Sequence, residues 1–310
     1  MIIGIVGPTG SGKSNLAIEL AKLCKGSIIS CDSVQVYRGF NIGSGKVTDE
    51  EKQEIPHYLL DIKDGNEKFT VGEFVVRAQE AIDEIISLGR VPIITGGTGL
   101  YYRAFVYQYA LNDGLKDKEN ELRDKYLSLL EEKGVSYLYQ KLLEVDEKSA
   151  MEINPNHSSR IIRALAFYYT NLEGIVKQKE ETKGIRDDIV GIYLDVSRED
   201  LYDNINKRVD NMIEAGLVDE VEGLLVSGIS DQAAPMKTIG YKEIISYLKG
   251  DFEFEEAIAS IKQNSRRYAK RQITWFRRHD ELFRMPYNSK NDREKIIYYL
   301  LKYLNKTHWH

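Results

Sequence analysis

The chain is poor in cysteine, with two among 310 residues, Cys24 and Cys31. Two thiols exclude a disulfide scaffold. Neither has a partner at metal-ligand spacing, and no Cys/His cluster occurs elsewhere, so a zinc module is excluded as well. Both are expected to be small buried residues in a reducing cytoplasm. No apolar run approaches the ~18 residues that a membrane span needs, so no membrane partner is expected. The first strand-like run begins at Ile2, which leads us to expect no leader segment. There is no internal repeat and no low-complexity tract. Hydrophobic content of 42% and charged content of 29% are those of an ordinary globular protein. A chain of 310 residues can hold one large core, or a core with a smaller insert.

A net charge of −5 argues against nucleic acid as a partner, but the distribution argues for it. Gln263 to Arg278 holds Arg266, Arg267, Lys270, Arg271, Arg277 and Arg278 and no acid. Tyr268, Trp275 and Phe276 are interleaved. Arg266 with Lys270, and Arg267 with Arg271, stand four apart, so their charges cluster on adjoining faces of one helix. The segment reads as a surface for nucleic-acid phosphates, against the plain alternative of a solvated basic face. Trp275 also fits a core position.

The strongest motif is Gly7-Pro8-Thr9-Gly10-Ser11-Gly12-Lys13-Ser14, directly after the apolar run Ile2 to Val6. It matches the phosphate-binding loop at every defined position, between a strand and a helix. Glycine lets the backbone wrap an anion, and amide N–H groups at the helix start point toward it. Lys13 adds a point charge, and Ser14 can reach a metal. The loop implies a di- or triphosphate without saying which.

Around this loop, apolar strand-like runs alternate with helical patterns. Ile2 to Val6, Ser27 to Cys31, Tyr58 to Ile62, Val91 to Thr95 and Val190 to Asp195 read as strands. Val71 to Leu88 reads as a helix with Phe74, Ala78, Ile82 and Ile85 on one face. Such alternation implies an α/β fold with a parallel sheet flanked by helices. Strand character vanishes between Leu111 and Ile185, where Glu119 to Glu132, Tyr137 to Leu143 and Arg160 to Thr170 read as helices. The expected organisation is a first core part over 1–110 and an all-helical insert over 111–185. Core completion with the basic helix Glu255 to Arg277 follows over 186–284, and a helical tail over 285–310. Leu201, Ile205, Val209, Met212 and Ile213 form an expected buried stripe.

Three aspartates, Asp32, Asp61 and Asp195, end expected strands, where α/β sheets bind ligands. Asp32 follows the strand nearest the loop in sequence. It can hold a metal through water, act as a general base, or cap a turn. Gly96-Gly97-Thr98-Gly99 lets backbone approach a ligand, with Thr98 as a hydrogen-bond donor, or forms a tight turn only. His57 and His157 stand without a catalytic partner, and His308 and His310 lie in the tail.

Taken in order, these motifs resemble the tRNA dimethylallyltransferase family. The match runs through the loop, Asp32 to Arg38, Ile55-Pro56-His57-Tyr58 and Gly96 to Tyr101. It continues through Asn154 to Asn156, Arg160 to Leu165, Arg208 to Met212, Gly216 to Val221, Ile239 to Glu243 and Tyr268 to Phe276. The resemblance implies a P-loop NTPase-like fold with an all-helical insert. It implies transfer of a dimethylallyl group from its diphosphate to an adenosine amine beside the tRNA anticodon. Dimethylallyl diphosphate would then sit on Gly7 to Ser14 and Arg208, with Mg²⁺ near Ser14. Asp32 would be the base, and Thr98 would bond near the breaking carbon–oxygen bond. Ser33, Val34 and Gln35 would meet the target base. Arg123, Arg160, Lys237, Gly240, Lys242, Arg266 and Arg271 would contact the anticodon stem-loop. A cytoplasmic monomer is implied. His157 and Ala166 depart from the family pattern, which often has acidic residues there. A free-nucleotide isopentenyltransferase, a small-molecule P-loop kinase and a non-enzymatic P-loop switch share parts of this pattern.

Overall fold

The computed structural model describes residues 1–108, 116–171 and 184–307. The expected insert boundary at Leu111, and His308 and His310, lie outside the described residues. Six strands form one sheet in the order β3-β2-β4-β1-β5-β6, and every pairing is parallel. They are β1 (Ile2–Val6), β2 (Gly26–Ser30), β3 (His57–Tyr58), β4 (Val91–Gly96), β5 (Ile189–Asp195) and β6 (Leu282–Pro286). Residues of β1 and β2 are buried throughout. That is the demand a parallel strand makes when helices cover both faces, and unbroken runs such as Ile2-Ile3-Gly4-Ile5-Val6 meet it.

The helices are α1 (Lys13–Cys24), α2 (Asp49–Lys52), α3 (Val71–Ser87), α4 (Gly99–Val106), α5 (Lys116–Val145), α6 (Glu147–Glu152) and α7 (Ser158–Asn171). After β5 come α8 (Arg198–Glu214), α9 (Leu217–Val226), α10 (Tyr241–Leu248), α11 (Phe254–Phe276) and α12 (Lys290–Thr307). Phe74, Ala78, Ile82 and Ile85 of α3 are buried, as their spacing demands. One core joins α1 and α12 to the central strands through Leu16, Leu20, Ile5, Ile93, Ile296 and Leu300. A second surrounds Phe40 and Tyr241 with Val209, Leu217, Val221 and Ile261. Leu201, Ile205 and Val209 of the expected stripe are buried, while Met212 and Ile213 are only partly so.

The structure differs from these expectations at three places. The strand read over Tyr58 to Ile62 ends at Tyr58, because Leu59 and Asp61 take left-handed φ of 62° and 55°. A left-handed residue cannot continue an extended ladder. The strand β6 went unread because it is a short edge strand with mixed residues, and only Leu282 is buried. Thiol burial also differs: Cys31 is fully buried and Cys24 only partly so.

The chain divides into two compact units, Met1–Ala104 with Asp187–His310, and Phe105–Arg186. In the second unit, α5 is broken at Gly134, which has φ 77° and ψ 170°. Tyr126, Leu138, Leu142, Ile161, Ile162 and Leu165 form its core. Among the described residues, no helix is long and apolar enough to cross a membrane.

Candidate active site

Neighbours leave β1 in both directions, with β4 and β2 on one side and β5 and β6 on the other. A ligand crevice opens at the carboxyl end of such a strand. The loop Gly7 to Ser14 stands there. Gly10 and Gly12 have φ of 80° and 78°, conformations that a Cβ disfavours. Gly12 begins α1 with no side-chain cap, so the first N–H groups of the helix remain for an anion.

The loop opens into a chamber of about 450 Å³. Thr9, Lys13, Ser14, Asp32, Ser33, Val34, Gln35, Arg208, Lys237, Gly240, Lys242 and Arg271 all line it, from segments far apart in sequence. Gly10, Ser11 and Gly12 line an adjoining cavity that shares Lys13, Ser14 and Arg208 with the chamber. Gly7 and Pro8, the first residues of the loop, are buried. Thr98 and Arg266 do not line the chamber. The Thr98 carbonyl accepts from the amides of Tyr101 and Tyr102 at 3.0 and 3.2 Å, at the start of α4. Arg266 donates to Asn206 Oδ1 of α8 at 2.6 Å.

The three aspartates separate here. Asp61 pairs with the buried Lys46 ammonium at 2.6 Å. Asp195 is exposed at the end of β5. Asp32 alone lines the chamber. Its Oδ1 accepts from the amides of Val34 at 2.8 Å and Gln35 at 3.3 Å. Oδ2 takes no hydrogen bond among the described residues. The turn-cap and chemical readings of Asp32 are therefore compatible, since each uses a different oxygen.

Lys13 Nζ donates to the Pro8 carbonyl at 3.3 Å. Burial and the neighbouring Arg208 cation lower its pKa to about 8, and Asp32 opposes them. Burial also lowers the Arg208 pKa, against the attraction of Asp32 and Glu51. Arg208 donates to the Ser44 carbonyl at 3.2 Å. Two cations and one carboxylate in one chamber leave a net positive seat for a multiply charged anion.

A divalent cation fits this donor set. Mg²⁺ prefers hard oxygen ligands, keeps several waters, and is held by few protein groups beside a substrate phosphate. The Ser14 hydroxyl and the Asp32 carboxylate line one chamber and supply such oxygens. No group of three His, Cys, Asp or Glu side chains at metal-ligand spacing occurs among the described residues.

Several chamber residues escaped sequence reasoning. Gln272, buried on α11, accepts from Thr9 N and donates to the Gly97 carbonyl, each at 2.9 Å. It ties the phosphate loop to the turn after β4. A glutamine on the inward face of an otherwise apolar stripe was the available signal. Tyr268, one turn earlier, has its pKa raised to about 12 by burial and Asp32, and the Arg271 guanidinium lies 5.6 Å from its ring centre. Thr95 lines the chamber, and its buried hydroxyl has no hydrogen-bond partner among the described residues. Gln35, read as a contact for a base, has its amide committed: it donates to Ser44 and Gly45 carbonyls and accepts from Ser30.

In the other unit, Arg123 pairs with Glu119 and Arg160 is exposed. His157 is exposed and starts α7, its carbonyl accepting from Arg160 and Ile161. Ala166 is fully buried on α7.

Fold and site together define a P-loop α/β protein whose anion loop faces a chamber bearing one carboxylate. The IPP transferase family profile matches residues 35–279. A tRNA dimethylallyltransferase of Acetivibrio thermocellus is 45% identical over 98% of this chain and 97% of its own. One from Bacillus anthracis is 47% identical over 88% of this chain and 86% of its own. A tRNA delta(2)-isopentenylpyrophosphate transferase structure from Staphylococcus epidermidis superposes with TM-score 0.71 at 39% identity, covering 98% of this chain and 99% of that one. A eukaryotic dimethylallyltransferase acting on tRNA gives TM-score 0.81 at 28% identity, covering 93% and 74%. The chain belongs to the tRNA dimethylallyltransferase family, also called the IPP transferases.

Proposed function

We propose that this protein transfers a dimethylallyl group from dimethylallyl diphosphate to the exocyclic amine of the adenosine 3′ of the anticodon in tRNA, releasing diphosphate. One observation carries the reading: the phosphate loop, Lys13, Arg208 and Asp32 share one chamber in a chain of this family. The diphosphate lies on the loop amides with Lys13 and Arg208 against its oxygens. The adenine amine enters beside Asp32, flipped out of the anticodon-loop stack. Its nitrogen attacks the allylic carbon, and the carbon–oxygen bond breaks with its electron pair going to diphosphate. Asp32 Oδ2 takes the amine proton, which a weak nucleophile must lose. Such a base contributes roughly 10²–10⁴-fold. Lys13 and Arg208 stabilise the charge that builds on the departing oxygen. Ser14 would hold Mg²⁺, which would supply further charge neutralisation at the departing diphosphate. Thr98 holds the turn beside Gly97, within one residue of the chamber wall.

The tRNA lies over cations on α11 and at the start of α10. Arg267, Lys270, Arg271, Lys237 and Lys242 are exposed there and fit phosphates. Arg123 and Arg160 of the helical insert take further contacts with the anticodon stem. The protein works as a cytoplasmic monomer.

A transfer assay with tRNA, AMP and ATP as competing acceptors tests this. Label from dimethylallyl diphosphate should appear on tRNA. Transfer to AMP alone would replace the tRNA reading with a free-nucleotide one, and phosphoryl transfer from ATP would point to a kinase.

A further inference from the structure

The loop from Asn41 to Lys46 forms one wall of the chamber through Gly43, Ser44 and Gly45. It carries no group that reacts, yet it is pinned at several points. At its tip, the Glu220 carboxylate on α9 accepts from three successive backbone amides: Asn41 at 3.0 Å, Ile42 at 2.7 Å and Gly43 at 3.1 Å. The same carboxylate accepts from the Tyr241 hydroxyl at 2.8 Å. Burial and Glu220 itself keep that phenol protonated, so it remains a donor. At its base, Lys46 donates to the Tyr37 carbonyl, Asn41 Oδ1 and Asp61 Oδ1 at 2.8, 2.9 and 2.6 Å.

The held loop shapes the place of one side chain. The Ser44 carbonyl accepts from Arg208 at 3.2 Å. Gly45 has φ 59°, and a Cβ there would lie 1.6 Å from Arg208 Nη2. The guanidinium therefore occupies the space that a side chain at position 45 would fill. Three amides on one carboxylate make a rigid concave backbone, because each charged hydrogen bond is stronger than a neutral one. A long arginine side chain has several rotamers to lose, and a preset carbonyl and a fitted slot reduce that loss before any ligand arrives.

We propose that Glu220 is a positioning residue for the diphosphate site: it acts through the Asn41–Lys46 loop to seat Arg208. This rests on the reading of Arg208 as a diphosphate ligand. Glu220 lines the outer side of the loop, not the chamber, so it touches no substrate. A glutamine there keeps the size but offers one acceptor oxygen where the carboxylate offers two. Its NH₂ would face amide donors, so the tip of the loop loosens.

The test uses the full chain with two readouts, titration with inorganic diphosphate and prenyl transfer to tRNA. Glu220→Gln should weaken inorganic diphosphate about tenfold, within the range for groups coupled in one network, with tRNA affinity unchanged. The transfer rate at sub-saturating donor should fall in parallel. Glu220→Gln on an Arg208→Ala background should add no further loss. Gly45→Ala, which intrudes on the guanidinium from the other side, should reproduce the diphosphate defect. Wild-type diphosphate affinity in Glu220→Gln would overturn the proposal, as would losses that multiply in the double variant. If Glu220→Gln does not fold, Gly45→Ala decides, and wild-type diphosphate affinity there overturns the proposal. Failure of the wild-type protein to prenylate tRNA would sink the proposed function instead, while diphosphate titration would still report on the Arg208 seat.

Discussion

Replacing Asp32 by asparagine separates its two roles. Oδ1 accepts from Val34 and Gln35 amides, and Oδ2 accepts from nothing among the described residues. Asparagine keeps an oxygen for the turn and places an amide, which takes no proton, where Oδ2 stood. Alanine would remove the turn as well, at a further cost of about 1 kcal/mol in stability. Loss of the base alone predicts a transfer step slowed by ~10²–10⁴-fold, or about 2.7–5.4 kcal/mol of barrier. The charge change acts on binding in the opposite sense. Asp32 repels an incoming diphosphate, so the KM for the donor should not rise at pH 7. Asp32 also supports the Lys13 cation, whose pKa is about 8 with the carboxylate present. Without it, the alkaline limb of diphosphate binding should move to lower pH. Single-turnover transfer of labelled dimethylallyl to a tRNA transcript reads the first effect, and diphosphate titration across pH reads the others. An Asp32→Asn variant within about 5-fold of wild type in single turnover, with tRNA bound, would remove Asp32 as the base.

Inorganic diphosphate should bind the wild-type protein progressively less well as pH rises through about 8, because the Lys13 cation is present below that value and lost above it. Constant affinity from pH 7 to pH 10 in titration calorimetry would contradict this. Gln272→Leu strips partners from Thr9 N and the Gly97 carbonyl, at about 1–3 kcal/mol for each buried group. Water from the chamber recovers part of that, so chemical denaturation should show a loss near 2 kcal/mol together with weaker diphosphate binding. Arg267→Ala with Arg271→Ala should lower the salt slope of tRNA binding by roughly 1 per cation. Arg266→Ala should leave the slope unchanged and reduce thermal stability, since its guanidinium is tied to Asn206. Gly96→Ala would set a Cβ 2.0 Å from the Cys31 carbonyl oxygen, so a loss of about 3 kcal/mol or more should appear in denaturant midpoints.

The central strands were legible because burial on both faces demands unbroken apolar runs. The phosphate loop was legible because its glycines and Lys13-Ser14 hold set positions within eight consecutive residues. The edge strand β6 was not, since its partner lies on one side and its residues carry little pattern. Tyr58 to Ile62 read as extended although Leu59 and Asp61 turn left-handed. Gln272 and Glu220 stayed silent, because a buried polar residue acquires meaning only from the amides and carbonyls that the fold brings to it.

The order of residues alone shows that an anion loop follows a buried strand, that cations and aromatics crowd one helix, and that the motifs come in the order of one family. Those are local or serial properties, readable from neighbours along the chain. Which aspartate faces the loop emerges once the strands and helices are packed together. Asp61 goes to Lys46, Asp195 to the open end of β5, and Asp32 to the chamber. The packing also sets Arg266 against Asn206 and Arg271 at the chamber. A charge takes its role from what lies within a few ångströms through space, where Coulomb and hydrogen-bond energies are large. Most of those neighbours are tens to hundreds of residues away in sequence.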